Sequence, residues 1–257
     1  MTAGAHIAVL AKAPIAGLAK TRLIPALGAA GAARLQRALT LRALHTAQHA
    51  ALGAVTLWCA PDTQHRFFRA LQRGTGVALR AQPGGDLGAR MHAAFVAHTA
   101  PEASSDADSD ADSDVDSDAN GAARDAAHDA AHIAKNSPAD SAANRAMNTA
   151  EARPPLLLIG TDCPALTGEH LHAAALALHD GADAVTLPAE DGGYVLVGLR
   201  APQPALFEGM RWSTEHVMAD TRQRARAAGL RLHEGPTLWD VDRPEDLARL
   251  RGLRWQV

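Results

Sequence analysis

Two of the three lysines in this chain lie close together near its N-terminus, in a loop that also carries an arginine. Lys12, Lys20 and Arg22 fall within eleven residues, and Pro14 and Gly17 lie between them and shape the backbone. Arginine accounts for nearly all of the 25 Lys and Arg residues, which indicates that this loop needs compact ammonium groups on flexible stems. We expect the loop to bind phosphates. It is neither a Walker loop nor a Gly-x-Gly-x-x-Gly fingerprint, and a solvated loop with incidental lysines is the alternative.

Two aspartates in later loops could hold a divalent cation. Asp162 follows the most apolar segment of the chain and precedes Pro164 by two residues, so its carboxylate is available to Mg²⁺ or Mn²⁺, with waters and phosphates as the other ligands. Asp242 lies two residues after Asp240 and therefore on the same side of an extended segment, where it can supply a second carboxylate. The alternatives are that Asp162 only begins a turn and that Asp242 only caps the helix at Pro244.

A further acidic segment has the sequence Pro-Ala-Glu-Asp-Gly-Gly-Tyr. Asp191 or Glu190 could act as a base toward an acceptor hydroxyl, and Gly192 and Gly193 would let a ligand approach the backbone closely. Tyr194, which ends the segment, is the single tyrosine of the chain. A hairpin-like turn that needs positive φ is the alternative interpretation.

The segments that position these loops alternate between strand and helix patterns. Continuous apolar strands separated by helices favour a three-layer α/β/α fold around a mainly parallel sheet that is covered on both faces. Ligands in such sheets bind beyond the carboxyl ends of the strands, where these loops lie. The predicted strands are 6–11, 54–59, 77–81, 155–160, 184–187, 194–199 and 230–233, and the predicted helices are 31–52, 62–73 (capped by Asp62), 85–98, 167–180, 214–228 and 244–250.

Residues 101–153 differ from the rest of the chain in composition. They carry 12 of the 28 acidic residues and four of the 25 basic ones, in a low-complexity Ser-Asp-Ala sequence with few apolar residues. Such a segment cannot offset the entropy of ordering, so we predict a disordered acidic insertion in a surface loop. The whole chain, 1–257, is then a single domain with this insertion inside it.

Charge and hydropathy narrow the classes of function. Outside 101–153 the net charge is positive, which suits an anionic small-molecule substrate, and no basic cluster with interleaved aromatic residues points to nucleic acid. No segment approaches the ~20 apolar residues of a membrane span, and the N-terminus lacks a signal-peptide pattern, so we expect a cytoplasmic protein.

The two cysteines, Cys59 and Cys163, are far apart in the sequence and have no cysteine neighbour. This isolation predicts buried or partly buried thiols rather than a disulfide or a zinc site.

Six motifs, met in order from Ile7 to Leu250, carry a resemblance to a known family. They are K-A-P-I-A-G-L-A-K-T-R-L-I-P, G-G-D-L-G-A-R-M, G-T-D-C-P-A-L, D-G-G-Y-V-L-V-G-L, W-S-T and D-V-D-R-P-E-D-L. Together they resemble the bacterial GT-A-type glycosyltransferase-like family, also labelled radical-SAM or selenodomain-associated transferases. Its neighbours include the guanylyltransferases of the molybdopterin and coenzyme F420 pathways, which share the lysine-rich first loop. The acidic insertion departs from the compact family pattern but falls between the motifs.

The resemblance implies a GT-A (nucleotide-diphospho-sugar transferase) fold and assigns roles to the loops. The residues implied in nucleotide binding are Lys12, Pro14, Gly17, Lys20, Arg22, Asp86, Leu87, Gly88 and Arg90. The implied metal ligands are Asp162 and, as a second contact, Asp242. The residues implied to face the acceptor are Gly192, Gly193, Tyr194, Ser213 and Thr214, and the candidates for catalysis are Asp191, Lys20 and Arg22.

The expected function is a Mg²⁺- or Mn²⁺-dependent transferase with a nucleotide donor and a small-molecule acceptor. Glycosyl transfer from a nucleotide sugar is favoured by the family resemblance. Nucleotidyl transfer from a nucleoside triphosphate, with release of pyrophosphate, is favoured by the number of cations in the first loop. A non-catalytic nucleotide-binding protein is the third hypothesis. In either reaction the metal and the basic side chains would neutralise charge that builds on the leaving phosphate.

Overall fold

The computed structural model describes residues 3–99 and 153–252. Seven strands form one sheet: β1 (His6–Lys12), β2 (Val55–Ala60), β3 (Ala78–Ala81), β4 (Leu156–Ile159), β5 (Ala184–Pro188), β6 (Tyr194–Leu199) and β7 (Leu232–Glu234). The helices are α1 (Ile24–His49), α2 (Arg66–Thr75), α3 (Leu87–Thr99), α4 (Gly168–His179), α5 (Val217–Ala227) and α6 (Leu247–Gly252). Short 3₁₀ turns precede α1 at Thr21–Leu23 and α6 at Pro244–Asp246, and a third lies at Pro204–Leu206.

The strand order across the sheet is β3-β2-β1-β4-β6-β5-β7. Strands β1 to β4 pair in parallel, and β5 also pairs in parallel with β7. The expected α/β fold with a mainly parallel sheet is confirmed. Strand β6 is the exception, because it runs antiparallel to both β4 and β5. The connection between β5 and β6 is only residues 189–193, which is far shorter than a parallel crossover requires.

Helices cover both faces of the sheet. On one face α1, α2 and α4 pack in a large apolar cluster that includes Leu44, Phe68 and Leu171. On the other face α3 and α5 contribute Phe95 and Ala225 to a second cluster. The three-layer arrangement follows, because the strands between these clusters are apolar on both sides.

Two helix starts show how local polar groups set the boundaries. Helix α4 begins after Thr167, as predicted, and His170 completes a reciprocal capping box with it. Helix α2 begins later than predicted, after His65, whose Nδ1 accepts a hydrogen bond from the Phe67 N–H. Asp62 does not cap this helix; its Oδ1 accepts the Gln64 N–H at 2.7 Å in the preceding turn.

Buried side chains anchor the loops at the carboxyl ends of the strands. Leu23, at the end of the lysine-rich loop, packs with Leu39 of α1 and with Val241 in a small separate cluster. Both cysteines are free, with Cys59 buried and Cys163 half-buried, as predicted.

The predicted acidic insertion, residues 101–153, falls outside the described residues except for its last one, Arg153. The single-domain assignment of 1–257 and the disorder of that segment stay predictions. Within residues 3–99 and 153–252, no helix is long and apolar enough to cross a membrane.

Candidate active site

A cleft of about 520 Å³ opens at the carboxyl ends of β1, β3 and β4. Its volume is within the range typical of small-molecule sites. It collects residues from all the loops that the sequence singled out. The predicted site residues on its wall are Lys12, Lys20, Arg22, Leu87, Arg90, Asp162, Asp191, Gly193, Tyr194, Ser213, Thr214 and Asp242.

Four residues expected at the nucleotide site do not line this cleft. Pro14 and Gly17 belong to the turn that shapes the lysine-rich loop, where Gly17 adopts a φ of +86°. Asp86 begins α3, because its Oδ1 accepts the Ala89 N–H at 2.8 Å. Gly88 is buried beneath an indole ring: a Cβ at this position would lie 2.7 Å from Cζ2 of Trp212. These residues support the walls of the cleft rather than forming its surface.

The ammonium of Lys20 links the two predicted metal ligands. Its Nζ lies 2.9 Å from Oδ2 of Asp162 and 3.6 Å from Oδ1 of Asp242. It also donates a hydrogen bond to the carbonyl oxygen of Val241, and only 4% of the Lys20 side chain is exposed. The backbone of Lys20 is left-handed, with φ 49° and ψ 46°. A non-glycine residue rarely adopts this conformation unless its surroundings hold it there.

A second basic group completes the charge pairing. Arg22 Nη1 lies 2.5 Å from Oδ2 of Asp242, although 62% of the Arg22 side chain is exposed. The backbone also joins these loops, because the Val241 N–H donates to the carbonyl oxygen of Asp162 at 2.9 Å. Two of the cations predicted to bind phosphate are thus paired with the two predicted metal ligands.

Helix α1 orients Asp162 through a buried hydrogen-bond chain. Gln36 Nε2 donates to Thr161 Oγ1 at 3.1 Å and to Thr40 Oγ1 at 3.2 Å, and Thr161 Oγ1 donates to Asp162 Oδ1 at 3.1 Å. Sequence reasoning did not identify Gln36. The only indication in the sequence is that Gln36 is a polar residue on the buried face of an otherwise apolar helix.

Gln82 is another cleft residue that the sequence analysis missed. It follows β3, and its Nε2 donates to the carbonyl oxygens of Trp58 at 2.8 Å and Ala11 at 3.2 Å. These hydrogen bonds fix the end of β1 immediately before Lys12. A polar residue directly after a strand was the only signal for it.

Negative charge is concentrated around Asp240, which also lines the cleft. Burial raises the pKa of Asp240 to about 6, and nearby carboxylates, foremost that of Asp191, add to the shift.

The charged side chains on the wall of the first cleft are equal in number, four basic and four acidic. They are Lys12, Lys20, Arg22 and Arg90, against Asp162, Asp191, Asp240 and Asp242.

A second cleft, of about 810 Å³, adjoins the first. Gly192 and His216 line only this second cleft, together with Glu190 and Trp239. Six residues line both clefts and mark their junction: Arg22, Asp191, Ser213, Thr214, Asp240 and Asp242. Ser213, like Lys20, has a left-handed backbone, with φ 62°.

The two carboxylates considered as a base differ in their surroundings. Arg249 holds Glu190 with two hydrogen bonds of 2.6 and 3.0 Å, and this guanidinium lowers the pKa of Glu190. Asp191 lies at the junction of the clefts, and its Oδ1 accepts the Gly193 N–H at 2.9 Å. Asp191 is therefore the better placed of the two for proton transfer.

Aromatic rings form the apolar wall of the first cleft. Trp212 stacks on Phe207 with a centroid distance of 6.4 Å, and the ring of Tyr194 meets Trp212 edge to face. Burial raises the pKa of the Tyr194 hydroxyl above its usual range, so Tyr194 stays protonated.

Cys163 also lines the first cleft. Burial raises the pKa of its thiol to about 11, so the thiol is a poor nucleophile at neutral pH.

The carboxylate oxygens of Asp162 and Asp242 are ligands of the kind that Mg²⁺ and Mn²⁺ prefer. Carboxylate oxygens from the two residues face one position, which in this structure is held by the Lys20 ammonium. Within the described ranges, no group of three or more His, Cys, Asp or Glu side chains is arranged to hold a metal ion. Two carboxylates are nevertheless enough for Mg²⁺, which usually keeps waters and binds substrate phosphates as its other ligands.

Solved structures with a similar fold include two transferases. One, from Desulfovibrio desulfuricans G20, is described as a "putative nucleotide-diphospho-sugar transferase"; it is 24% identical, with a TM-score of 0.66 over 99% of this chain and 90% of its own. The other is a 4-diphosphocytidyl-2C-methyl-D-erythritol synthase from Anaerococcus prevotii DSM 20548, 9% identical, with a TM-score of 0.50 over 97% of this chain and 96% of its own. At these identities the likeness shows the fold alone.

The sequence comparisons place the chain in a family. No curated protein matches it. The comparisons support the GT-A-like expectation but give no support to the radical-SAM or selenodomain association. A family model described as "Uncharacterized protein conserved in bacteria (DUF2064)" matches residues 40–107 and 116–214, and the chain therefore belongs to the DUF2064 family.

Proposed function

We propose that this protein is a metal-dependent transferase that moves a glycosyl group from a nucleotide sugar to a small-molecule acceptor. The observation that carries the proposal is the pair of adjoining clefts with a shared, charged junction. A transferase must hold two substrates so that their reacting atoms meet. The first cleft would take the donor and the second the acceptor, with transfer at the junction.

The cations of the first cleft suit a donor with two phosphates better than one with three. Lys20 and Arg22 are already paired with carboxylates, which leaves Lys12 and Arg90 as the cleft cations without a carboxylate partner among the described residues. Before any metal binds, these two cations neutralise a larger share of the charge of a diphosphate than of a triphosphate.

The balanced charge of the first cleft is the argument for a metal. Because its four basic and four acidic groups cancel, an anionic donor gains little from the protein alone and needs an added cation. When bound, Mg²⁺ or Mn²⁺ would supply that positive charge beside the leaving phosphate. Asp162 and Asp242 would hold the ion.

The remaining roles follow from position. Lys12 and Arg90 would bind the donor phosphates, with Leu87 against the nucleoside. Gly192, Ser213 and Thr214, which line the second cleft, would contact the acceptor. Asp191 would accept the proton of the attacking hydroxyl, and a normal turnover number for Asp191→Asn would contradict this role.

Thermal-shift measurements test the donor. The protein is screened against nucleotide sugars, nucleoside diphosphates and nucleoside triphosphates, each with and without Mn²⁺. We expect one nucleotide sugar to stabilise the protein only when metal is present, by ~2.7 kcal/mol at 100 times its Kd. The Asp162→Ala variant should lose this stabilisation while Asp62→Ala, an aspartate in an exposed turn, keeps it.

The products separate the candidate reactions. Release of a nucleoside diphosphate supports glycosyl transfer, whereas pyrophosphate would assign nucleotidyl transfer instead. Metal-dependent binding without turnover of any donor and acceptor pair would favour the non-catalytic hypothesis. Absence of stabilisation by every nucleotide would contradict the proposed function as a whole.

A further inference from the structure

We propose that Lys20 is an internal counter-ion that leaves Asp162 and Asp242 when a divalent cation binds, so that the ammonium and the metal alternate at one position. The inference rests on the proposed function for the identity of the metal. It goes further by assigning Lys20 a role in the ligand-free protein that differs from its role in the complex.

The geometry places the ammonium where a cation would bind. Lys20 Nζ is 2.9 Å from one carboxylate of the pair and 3.6 Å from the other, and its side chain is almost fully buried. A Mg²⁺ ion bound to the same oxygens would sit roughly 2.0–2.1 Å from them. Two cations cannot share that space, because their repulsion is strong at such short separations.

The carboxylates need a cation in either state. Asp162 and Asp242 both face the Lys20 ammonium, and the two negative carboxylates would repel each other if no positive charge lay between them. Arg22 cannot serve alone, since it pairs with Asp242 and no ion pair joins it to Asp162 among the described residues. Lys20 therefore holds the two carboxylates in position before a metal arrives.

The released ammonium has a destination in the same cleft. Lys20 has a four-carbon stem and lies in the loop that also carries Lys12, which has no ion pair within the described ranges. Donor phosphates in the cleft would attract the ammonium away from the aspartates. Phosphate binding then frees the metal position, and metal binding frees a cation for the phosphates, so each ligand should raise the affinity of the other.

Lysine footprinting of the full-length protein tests the exchange directly. The chain has only three lysines, so acylation by acetic anhydride can be assigned to each by mass spectrometry. Lys20 should react slowly in the metal-free protein because it is buried and paired. Mn²⁺ alone should raise its acylation rate at least tenfold and change that of Lys12 less than twofold. An unchanged Lys20 rate at saturating Mn²⁺, or no Mn²⁺ binding at all, would overturn the inference.

Manganese affinity, measured by electron paramagnetic resonance without nucleotide, provides a second test. The Lys20→Met variant should bind Mn²⁺ at least tenfold more tightly than the unaltered protein, because the competing ammonium is gone. Adding Asp162→Asn to this variant should remove the gain. Arg69→Met, which deletes one exposed positive charge outside both clefts, should leave the affinity unchanged.

Equal Mn²⁺ affinities for a folded Lys20→Met variant and the unaltered protein would also overturn the inference. Circular dichroism shows whether the variant folds, and the footprinting result decides the matter if it does not. Failure of the proposed function has a different signature. No nucleotide would then stabilise the protein, while Mn²⁺ would still displace Lys20.

Discussion

A methyl group added at Gly192 should destabilise the protein far more than one added at Gly17. The two glycines have nearly the same backbone angle, with φ of +88° and +86°, so alanine is strained to a similar degree at both. Their surroundings differ. A Cβ at Gly192 would lie 2.6 Å from the carbonyl carbon of Glu215 and 2.7 Å from its Cα, whereas a Cβ at Gly17 would meet nothing within 4 Å.

The expected magnitudes follow from these contacts. The left-handed backbone costs an alanine about 1–2 kcal/mol at either position. At Gly192 the segment at Glu215 must also move, which adds about 1–3 kcal/mol for overpacking. That movement strains the hydrogen bond from the Met218 N–H to the carbonyl oxygen of Gly192, 2.8 Å long, which joins the two walls of the second cleft. We expect a total near 3–4 kcal/mol for Gly192→Ala.

Urea denaturation measures both variants against the unaltered protein. Gly17→Ala should lower the free energy of unfolding by about 1–2 kcal/mol, from strain alone. A loss for Gly192→Ala that is no larger than this would refute the close packing of the β5–β6 connection against the segment that leads into α5. With the packing as described, the melting temperature should fall by about 10 °C.

Three substitutions of buried or paired side chains test other parts of the structure. Arg231 donates to Asp183 from its backbone N–H and its guanidinium and lowers the pKa of that carboxyl below the ordinary 3.8. Asp183→Asn should therefore cost about 1 kcal/mol at pH 7, and the difference should vanish in acid denaturation profiles as pH falls through the folded-state pKa. Thr161→Val breaks the hydrogen-bond chain to Asp162 and should weaken Mn²⁺ binding about tenfold by electron paramagnetic resonance. Thr186→Val removes a buried hydroxyl that has no partner within the described residues, so it should leave Mn²⁺ affinity unchanged and raise the unfolding free energy by about 1 kcal/mol.

The sheet and its loops were predictable because their signals are local. Continuous apolar runs such as Leu156–Ile159 identify strands that are buried on both faces. The general rule for ligands at strand ends then selects the loops that carry Lys12 and Asp162. The antiparallel direction of β6 was also within reach, since five residues cannot form a parallel crossover.

The pairings inside the site could not be predicted in the same way. Lys20 and Asp242 are more than 200 residues apart in sequence, and which partner a flexible ammonium selects depends on the packed loops. Gly88 belongs to a motif that resembles a nucleotide-binding segment, yet its lack of a side chain makes room for Trp212. A motif shows that a residue is constrained, whereas only the packing shows whether a ligand or a neighbour constrains it.

The equal numbers of basic and acidic groups in the first cleft bear on how fast a nucleotide can find it. A cleft lined by one sign of charge attracts an oppositely charged ligand from a distance, and added salt weakens that attraction. Here Lys20 and Arg22 lie within 4 Å of Asp162 and Asp242, and the other two basic groups of the wall are matched in number by Asp191 and Asp240, so little net field extends beyond the opening. We expect the association rate to stay close to that of unsteered diffusion and to change little with ionic strength. Selectivity for anions would then arise only after entry, in the rate at which the bound nucleotide leaves.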